Sequence, residues 1–96
     1  MDTQNYSVCI YSSIYNVTIN LTIPDVLSDA EKEILKCTMC GMNVTDIANY
    51  RFRSVKTVCF QKKQVYAKLG IKNDISFWLD LYMKYQLNFL SVLGDC

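Results

Sequence analysis

Hydrophobic and polar residues alternate along the first quarter of the chain. From Tyr15 to Ile23 apolar residues occupy the odd positions, and Asn or Thr occupies each even position. This period of two predicts a strand with one buried face, which Pro24 ends. Residues 6 to 10 alternate in the same way, so that 6 to 23 can form a hairpin. The pattern leaves open whether the segment folds back on itself or pairs with a second copy.

Beyond this segment the hydrophobic period becomes helical. Ser28 followed by Glu31 is a capping-box pattern, and it predicts a first helix that stops at Gly41. Asn43 then caps a short second helix with Asp46 in its first turn.

A third helix is predicted from Ser54 to Leu69, where Gly70 closes it. A short helix, a short connection and a longer helix form the layout of a DNA-binding helix-turn-helix. Helical spacing gives the third helix one apolar face, formed by Val58, Val65 and Leu69. A different face carries Lys56, Cys59, Phe60 and Lys63 at the spacing i, i+3, i+4, i+7. We therefore expect one face to pack and the other to enter a groove.

A fourth helix is predicted to begin with Asn73 or Asp74 as its cap and to run to about Leu93. It is apolar nearly all round, and such a helix needs more than one partner surface. We expect one face to cover its own domain and another to meet a second protomer, the strand segment, or both. The predicted dimer interface comprises Trp78, Tyr82, Phe89 and Leu90; an ordinary core role for them stays open.

Charge is segregated, although the whole chain carries a formal +1. Residues 1 to 46 hold two basic and six acidic groups, whereas 47 to 73 hold seven basic groups and no acid. The seven are Arg51, Arg53, Lys56, Lys62, Lys63, Lys68 and Lys72. Such a stripe can be a solvated face, a site for an acidic partner, or a surface that follows phosphates. Its coincidence with the helix-turn-helix favours phosphates.

The length of 96 residues indicates one compact domain, and the pattern indicates a mainly α fold. No His is present, which removes the commonest general base and metal ligand, so we expect neither an enzyme nor a cofactor. No basic residue precedes Lys32, and charges interrupt every long apolar run. We expect a soluble, cytoplasmic protein that binds no membrane.

The five cysteines are odd in number and scattered, unlike a disulfide framework. Cys37 and Cys40 resemble half of a zinc knuckle or a redox pair, but a metal site needs two further ligands, and the chain contains no His and no second Cys-x-x-Cys. We expect structural thiols and no metal site. Redox sensing through Cys37, Cys40 or Cys59 is an alternative.

An ordered set of residues links these elements. It comprises Leu27-Ser28, Glu31, Glu33-Ile34-Leu35, Gly41, Asp46-Ile47-Ala48, Ser54, Thr57-Val58, Lys68-Leu69-Gly70 and Asn73. This set resembles the LuxR or GerE type of helix-turn-helix, the output domain of NarL and FixJ style response regulators, over about half the chain. The stretch from Arg53 to Asp74 looks particularly like the RcsB branch.

The resemblance implies a four-helix domain that binds DNA as a dimer, with the third helix in the major groove and the fourth in or near the dimer contact. In the family register Cys37 is a core position and Cys40 an exposed one. We divide the chain into an N-terminal β segment, 1–26, and a DNA-binding domain with an extended C-terminal helix, 27–96. Base edges or neighbouring phosphates are assigned to Lys56, Cys59, Phe60 and Lys63. The DNA backbone is assigned to Thr57, Arg51, Arg53, Lys62, Lys68 and Lys72.

Two departures from the family pattern matter. Arg51 stands where the family has a buried Leu, so we expect Tyr50 or Phe52 to restore the packing of the second helix. Cys59 and Phe60 are poor hydrogen-bonders, although Phe packs well on a thymine methyl. The 26 residues before the motif are too few for a receiver domain, so we expect no control by phosphorylation of this chain.

These observations predict a sequence-specific transcriptional regulator without a receiver domain, acting on double-stranded DNA as a homodimer or as a heterodimer with an RcsB-like regulator. The alternative is a protein-interaction module that pairs with a related full-length regulator and modulates it without binding DNA itself.

Overall fold

The computed structural model describes residues 4–13 and 15–91. Four helices and three strands follow one another within these two ranges. They are β1 (Asn5–Ser12), β2 (Val17–Pro24), α1 (Asp29–Met39), α2 (Val44–Arg51), α3 (Val55–Leu69), α4 (Phe77–Lys84) and β3 (Gln86–Ser91). The four predicted helices are confirmed, and a three-stranded sheet accompanies them where only a short N-terminal strand or hairpin was expected. Within the described residues, none of the helices has the length and apolar character needed to cross a membrane.

The N-terminal segment folds back on itself as a hairpin. β1 and β2 are antiparallel, with Asn5 opposite Pro24 and Ser12 opposite Val17. Alternate residues of both strands are buried, as a strand with one covered face requires. The hairpin alternative of the sequence analysis is therefore the observed one.

The fourth helix is shorter than predicted, and the expected extended C-terminal helix is wrong. α4 ends at Lys84, Tyr85 adopts an extended conformation, and β3 pairs with the outer edge of β2. Leu87 is buried while its neighbours Gln86 and Asn88 are exposed, which is a strand pattern. A two-stranded hairpin is marginal alone, and a third strand satisfies the second edge of β2. The predicted end at Leu93 lies outside the described residues.

The start of this helix was also misplaced. Ser76, not Asn73 or Asp74, occupies the position before α4, and it makes no side-chain cap. Asn73 Oδ1 instead accepts a hydrogen bond from Ser76 N at 2.9 Å, within the connection between α3 and α4. The Asp74 carboxylate is engaged by α3.

The other helix starts are confirmed atom by atom. Ser28 Oγ accepts from Glu31 N at 3.2 Å while Glu31 Oε1 accepts from Ser28 N at 2.8 Å. Asn43 and Asp46 form the same reciprocal pair at the start of α2. Capping satisfies backbone donors that a helix start leaves without partners.

Helices and sheet share one hydrophobic core. Leu21 of β2, Leu35 of α1, Ile47 of α2, Leu69 of α3 and Leu81 of α4 are all fully buried in the same cluster. The sheet thus packs against the helical part of the chain. The proposed division between residues 26 and 27 stays a prediction.

Candidate nucleic-acid interface

α3 has one buried and one solvent-facing side, as the spacing predicted. The three apolar residues Val58, Val65 and Leu69 are at most 1% exposed. The opposite face holds Lys56, Phe60 and Lys63, which are exposed, and Cys59, which is partly buried. Phe60 is 63% exposed and presents a large apolar surface to solvent.

The N-terminus of α3 differs from those of the other helices. The first turns of α1, α2 and α4 contain acidic residues, whereas that of α3 contains none. Ser54 Oγ accepts from Thr57 N at 3.1 Å and donates to Thr57 Oγ1 at 2.9 Å. No carboxylate in this turn offsets the positive end of the helix dipole, which suits the approach of a phosphate.

Carboxylates from other elements pair with three of the seven basic residues. Lys68 Nζ lies 2.7 Å from Glu31 Oε1 of α1, and Lys62 Nζ lies 3.0 Å from Asp74 Oδ1. Arg51 Nη1 lies 3.9 Å from a carboxylate oxygen of Glu33.

The remaining basic residues of the stripe differ in this respect. Within the described residues, no carboxylate oxygen lies within ion-pair distance of Arg53, Lys56, Lys63 or Lys72. All four are exposed. The stripe that the sequence presents as uniform therefore has two parts, one paired internally and one open to an anion.

The pair between Glu31 and Lys68 joins α1 to α3. Glu31 is only 8% exposed, and its carboxylate accepts hydrogen bonds from Lys68 and from the backbone of Ser28. The bond from Lys68, and next that from Ser28, lowers the pKa of this carboxyl group. Glu31 thus caps a helix and anchors the lysine at the same time.

The turn between α2 and α3 corrects one expectation. Tyr50 and Phe52 are 65% and 90% exposed, so neither restores the packing expected at the position of Arg51. Arg51 itself is partly buried, and its Nε is a buried donor that finds no hydrogen-bond partner among the described residues. Phe52 adopts a left-handed conformation with φ of 55°, and Arg53 Nη1 donates to its carbonyl oxygen at 3.3 Å.

The residues assigned to a dimer interface are exposed but do not share one surface. Trp78 and Phe89 lie with ring centroids 6.1 Å apart and line an apolar groove of about 550 Å³. The groove also contacts Tyr15 of the hairpin turn and the C-terminal end of α1. Leu90 follows Phe89 in β3 and so faces the other side of the sheet. Tyr82 is 63% exposed on α4 and does not line the groove.

The cysteines have the exposures expected from the family register. Cys37 is buried, and this burial raises the pKa of its thiol, whereas Cys40 is exposed. Among the described residues, no group of three or more potential metal ligands occurs. Cys96 lies outside the described residues.

Two residues of this surface were missed by the sequence reasoning. Tyr66 OH donates to Asp74 Oδ1 at 2.6 Å, beside the Lys62 pair. Asp74 is the first acid after the basic stripe and lies twelve residues beyond Lys62. That spacing carries no signal by itself, because the contact depends on the connection turning back onto α3.

Residues 25–78, more than half of the chain, match the family described as bacterial regulatory proteins, luxR family. Over 81 residues the chain is 43% identical to the cyclic di-GMP phosphodiesterase PdeL of Escherichia coli strain K12, covering 84% of this chain and 22% of PdeL. It is 36% identical over 72 residues to the uncharacterized HTH-type transcriptional regulator YuaB of the same strain, covering 75% of this chain and 20% of YuaB.

The transcriptional regulatory protein RcsB of that strain is 42% identical over 65 residues, covering 68% of this chain and 26% of RcsB. The chain thus spans between a fifth and about a quarter of these relatives. No solved structure gives a significant match.

Proposed function

Because the chain belongs to the luxR family of bacterial regulatory proteins, we propose that it is a DNA-binding transcriptional regulator that inserts α3 into the major groove. The observation that carries the proposal is the exposed face of α3. Lys56 and Lys63 are open to solvent there, directly opposite the buried Val58 and Val65. A helix anchored on one side with cations on the other is the geometry that groove binding requires.

Individual contacts follow from exposure and pairing. Lys63 and Lys56 reach base edges or neighbouring phosphates, and Phe60 packs on thymine methyl groups. Cys59 adds a contact on the same face. The backbone is held by Thr57 at the helix start and by Arg53 and Lys72 beside it, since phosphate contacts set the position of such domains. Arg51, Lys62 and Lys68 contribute less, because each is already paired with a carboxylate.

The decisive experiment removes the two open lysines of α3 together. Lys56→Ala with Lys63→Ala should weaken binding to a duplex from the protein's own promoter region by about ten-fold or more at about 0.1 M salt. The slope of log K against log salt should fall by about two, since each phosphate contact contributes about 0.9. Fluorescence anisotropy over a salt series measures both quantities.

The matched control removes the same charge from α1. Lys32 pairs with Asp25 at 3.0 Å and Lys36 with Glu33 at 3.5 Å, both away from the proposed face. Lys32→Ala with Lys36→Ala should leave the affinity within about two-fold and the slope nearly unchanged. Equal losses in the two double variants would contradict the assigned face.

We also propose a dimer, either with a second copy or with an RcsB-like regulator. Exposed Trp78 and Phe89 support an interface, since contiguous apolar surface on a small domain commonly marks a partner site.

The alternative is an interaction module that modulates such a regulator without binding DNA. The internal pairing of three cations favours it. Measuring the mass of the complexes that the chain forms, in the buffer of the anisotropy experiment, separates the DNA-binding dimer from the interaction module. A complex with RcsB that binds no duplex would support the interaction module.

We do not extend to this chain the cyclic di-GMP phosphodiesterase activity that appears in the name of PdeL. The match covers only 22% of that protein.

A further inference from the structure

One lysine of α3 is held by a carboxylate that faces the solvent. Asp74 Oδ1 lies 3.0 Å from Lys62 Nζ and accepts a hydrogen bond from Tyr66 OH at 2.6 Å. The side chain of Lys62 is only 14% exposed, whereas that of Asp74 is 72% exposed. An anion that approaches this ammonium group from the solvent therefore meets a negative charge first.

The arrangement is fixed on the α3 side. The Tyr66 ring packs against Phe77 with centroids 5.9 Å apart, and Lys62 Nζ lies 5.5 Å from the centroid of the Tyr66 ring. Burial raises the pKa of Tyr66, which keeps its hydroxyl group protonated as a donor. Tyr66 and Lys62 thus both contact the same oxygen atom of the Asp74 carboxylate.

The connection that carries Asp74 is held by its own hydrogen bonds. Ser76 N donates to Asn73 Oδ1 at 2.9 Å, and Ser76 Oγ donates to Asp80 Oδ2 at 2.7 Å. The same oxygen of Asp80 accepts from Lys72 N at 2.9 Å. The carboxylate of Asp74 is therefore presented from an ordered turn.

We propose that Asp74 is a charge gate on α3, which withholds Lys62 from DNA phosphates, with Tyr66 as its positioning residue. The proposal rests on the proposed function. Lys62, Lys63 and Asp74 line the same surface depression of about 200 Å³, so a phosphate bound beside Lys63 comes close to the exposed carboxylate. Affinity for DNA of arbitrary sequence depends on the number of phosphate contacts. By withholding one cation from the phosphates, Asp74 lowers the affinity for DNA of arbitrary sequence. Base contacts then contribute a larger share of the binding free energy, so Asp74 raises specificity.

The test is the substitution Asp74→Asn, which removes the charge and keeps the size of the side chain. Affinity for a duplex of arbitrary sequence should rise about three- to ten-fold at about 0.1 M salt, and the salt slope should steepen by about one. The ratio between the promoter duplex and the arbitrary duplex should fall. Adding Lys62→Ala to the Asp74→Asn background should cancel the gain.

The control is Asp25→Asn, which makes the same charge change and breaks an ion pair of equal length to Lys32 of α1. It should alter arbitrary binding by less than about two-fold. Equal gains from the two substitutions would overturn the gate, because net charge alone would then explain the effect. So would a gain in Asp74→Asn that persists when Lys62→Ala is added.

A second measurement needs no DNA. The rate of acylation of the Lys62 amine, followed by mass spectrometry of the folded protein, should rise in Asp74→Asn and stay unchanged in Asp25→Asn. An unchanged rate in Asp74→Asn would overturn the gate. The proposed function fails if the wild type binds no duplex, or if loss of Lys56 and Lys63 has no effect on binding. The gate alone fails if the wild type binds DNA through Lys63 but Asp74→Asn behaves like Asp25→Asn.

Discussion

At Phe52 a bulky side chain occupies a backbone conformation that glycine adopts readily. It ends α2 in the left-handed region with φ of 55°, and its ring is 90% exposed. A left-handed conformation costs a residue with a Cβ atom about 1 kcal/mol or more. The exposed ring makes little contact that could offset this cost. The position is therefore strained at the turn that leads into α3, and such strain is concentrated at functional sites.

Phe52→Gly should accordingly stabilise the fold by about 0.5 kcal/mol, since relief of strain outweighs the added freedom of the unfolded chain. Tyr50→Gly is the control: Tyr50 is also exposed, but it lies within α2, where glycine destabilises by about 1 kcal/mol. Urea unfolding of the two variants measures both values. A destabilised Phe52→Gly protein would show that the ring makes contacts that matter.

At the scale of elements, β3 is the part of the chain that local pattern misassigned. A short run rich in Leu and Phe is compatible with a helix and with a buried strand, and the hydrophobic pattern of such a run does not separate the two. Unpaired backbone groups on the outer edge of β2 decide in favour of the strand. Their pairing with β3 aligns Leu21 with Leu87 and Ile19 with Phe89.

Substitutions in β3 should follow this register. Leu87 is 7% exposed and Leu90 is 54% exposed. Leu87→Ala should cost about 2 to 4 kcal/mol of unfolding free energy, as buried leucines do, whereas Leu90→Ala should cost less than about 1 kcal/mol. Chemical denaturation compares them. Similar losses in the two variants would contradict the observed orientation of β3.

At the scale of the whole molecule, the acidic first half and the basic second half partly neutralise each other. Glu31 and Glu33 of α1 pair with Lys68 and Arg51, which the sequence alone places on a DNA-binding stripe. These contacts join the helices to one another. The positive charge available to a partner is therefore smaller and more localised than the sequence suggests.

The pH dependence of stability should report the contact between α1 and α3. The pKa of Glu31 is lowered in the folded state from its ordinary value of 4.5, so its contribution is present above about pH 4.5 and is lost as pH falls through the folded pKa. Glu31→Gln keeps the acceptor for Ser28 N and removes the charge. It should lower stability at pH 7 by about 1 kcal/mol and flatten the stability curve between about pH 5 and pH 3. Thermal unfolding of the wild type and of Glu31→Gln across that pH range measures the effect. If stability depends on pH equally steeply in both proteins, the proposed role of the pair between Glu31 and Lys68 is contradicted.

The sequence by itself determined the alternation of the N-terminal strands, the caps at Ser28, Asn43 and Ser54, and the two faces of α3, whereas the pairing of β1 with β2 as a hairpin came from the structure. These features depend on residues within one or two turns of each other or on strict alternation, so the information is local. The apolar face of α3 had to be buried, and the cationic face followed from helical spacing.

Only the tertiary structure decided that β3 joins the sheet and that Lys62 and Lys68 are paired. Both depend on groups far apart in sequence, the outer edge of β2 in one case and the carboxylates of Asp74 and Glu31 in the other. Local propensity gives no preference between a helix and a strand at β3, and charge spacing does not show which cation a distant carboxylate reaches. Chain folding brings these partners together, and the energy of the contacts then selects the structure.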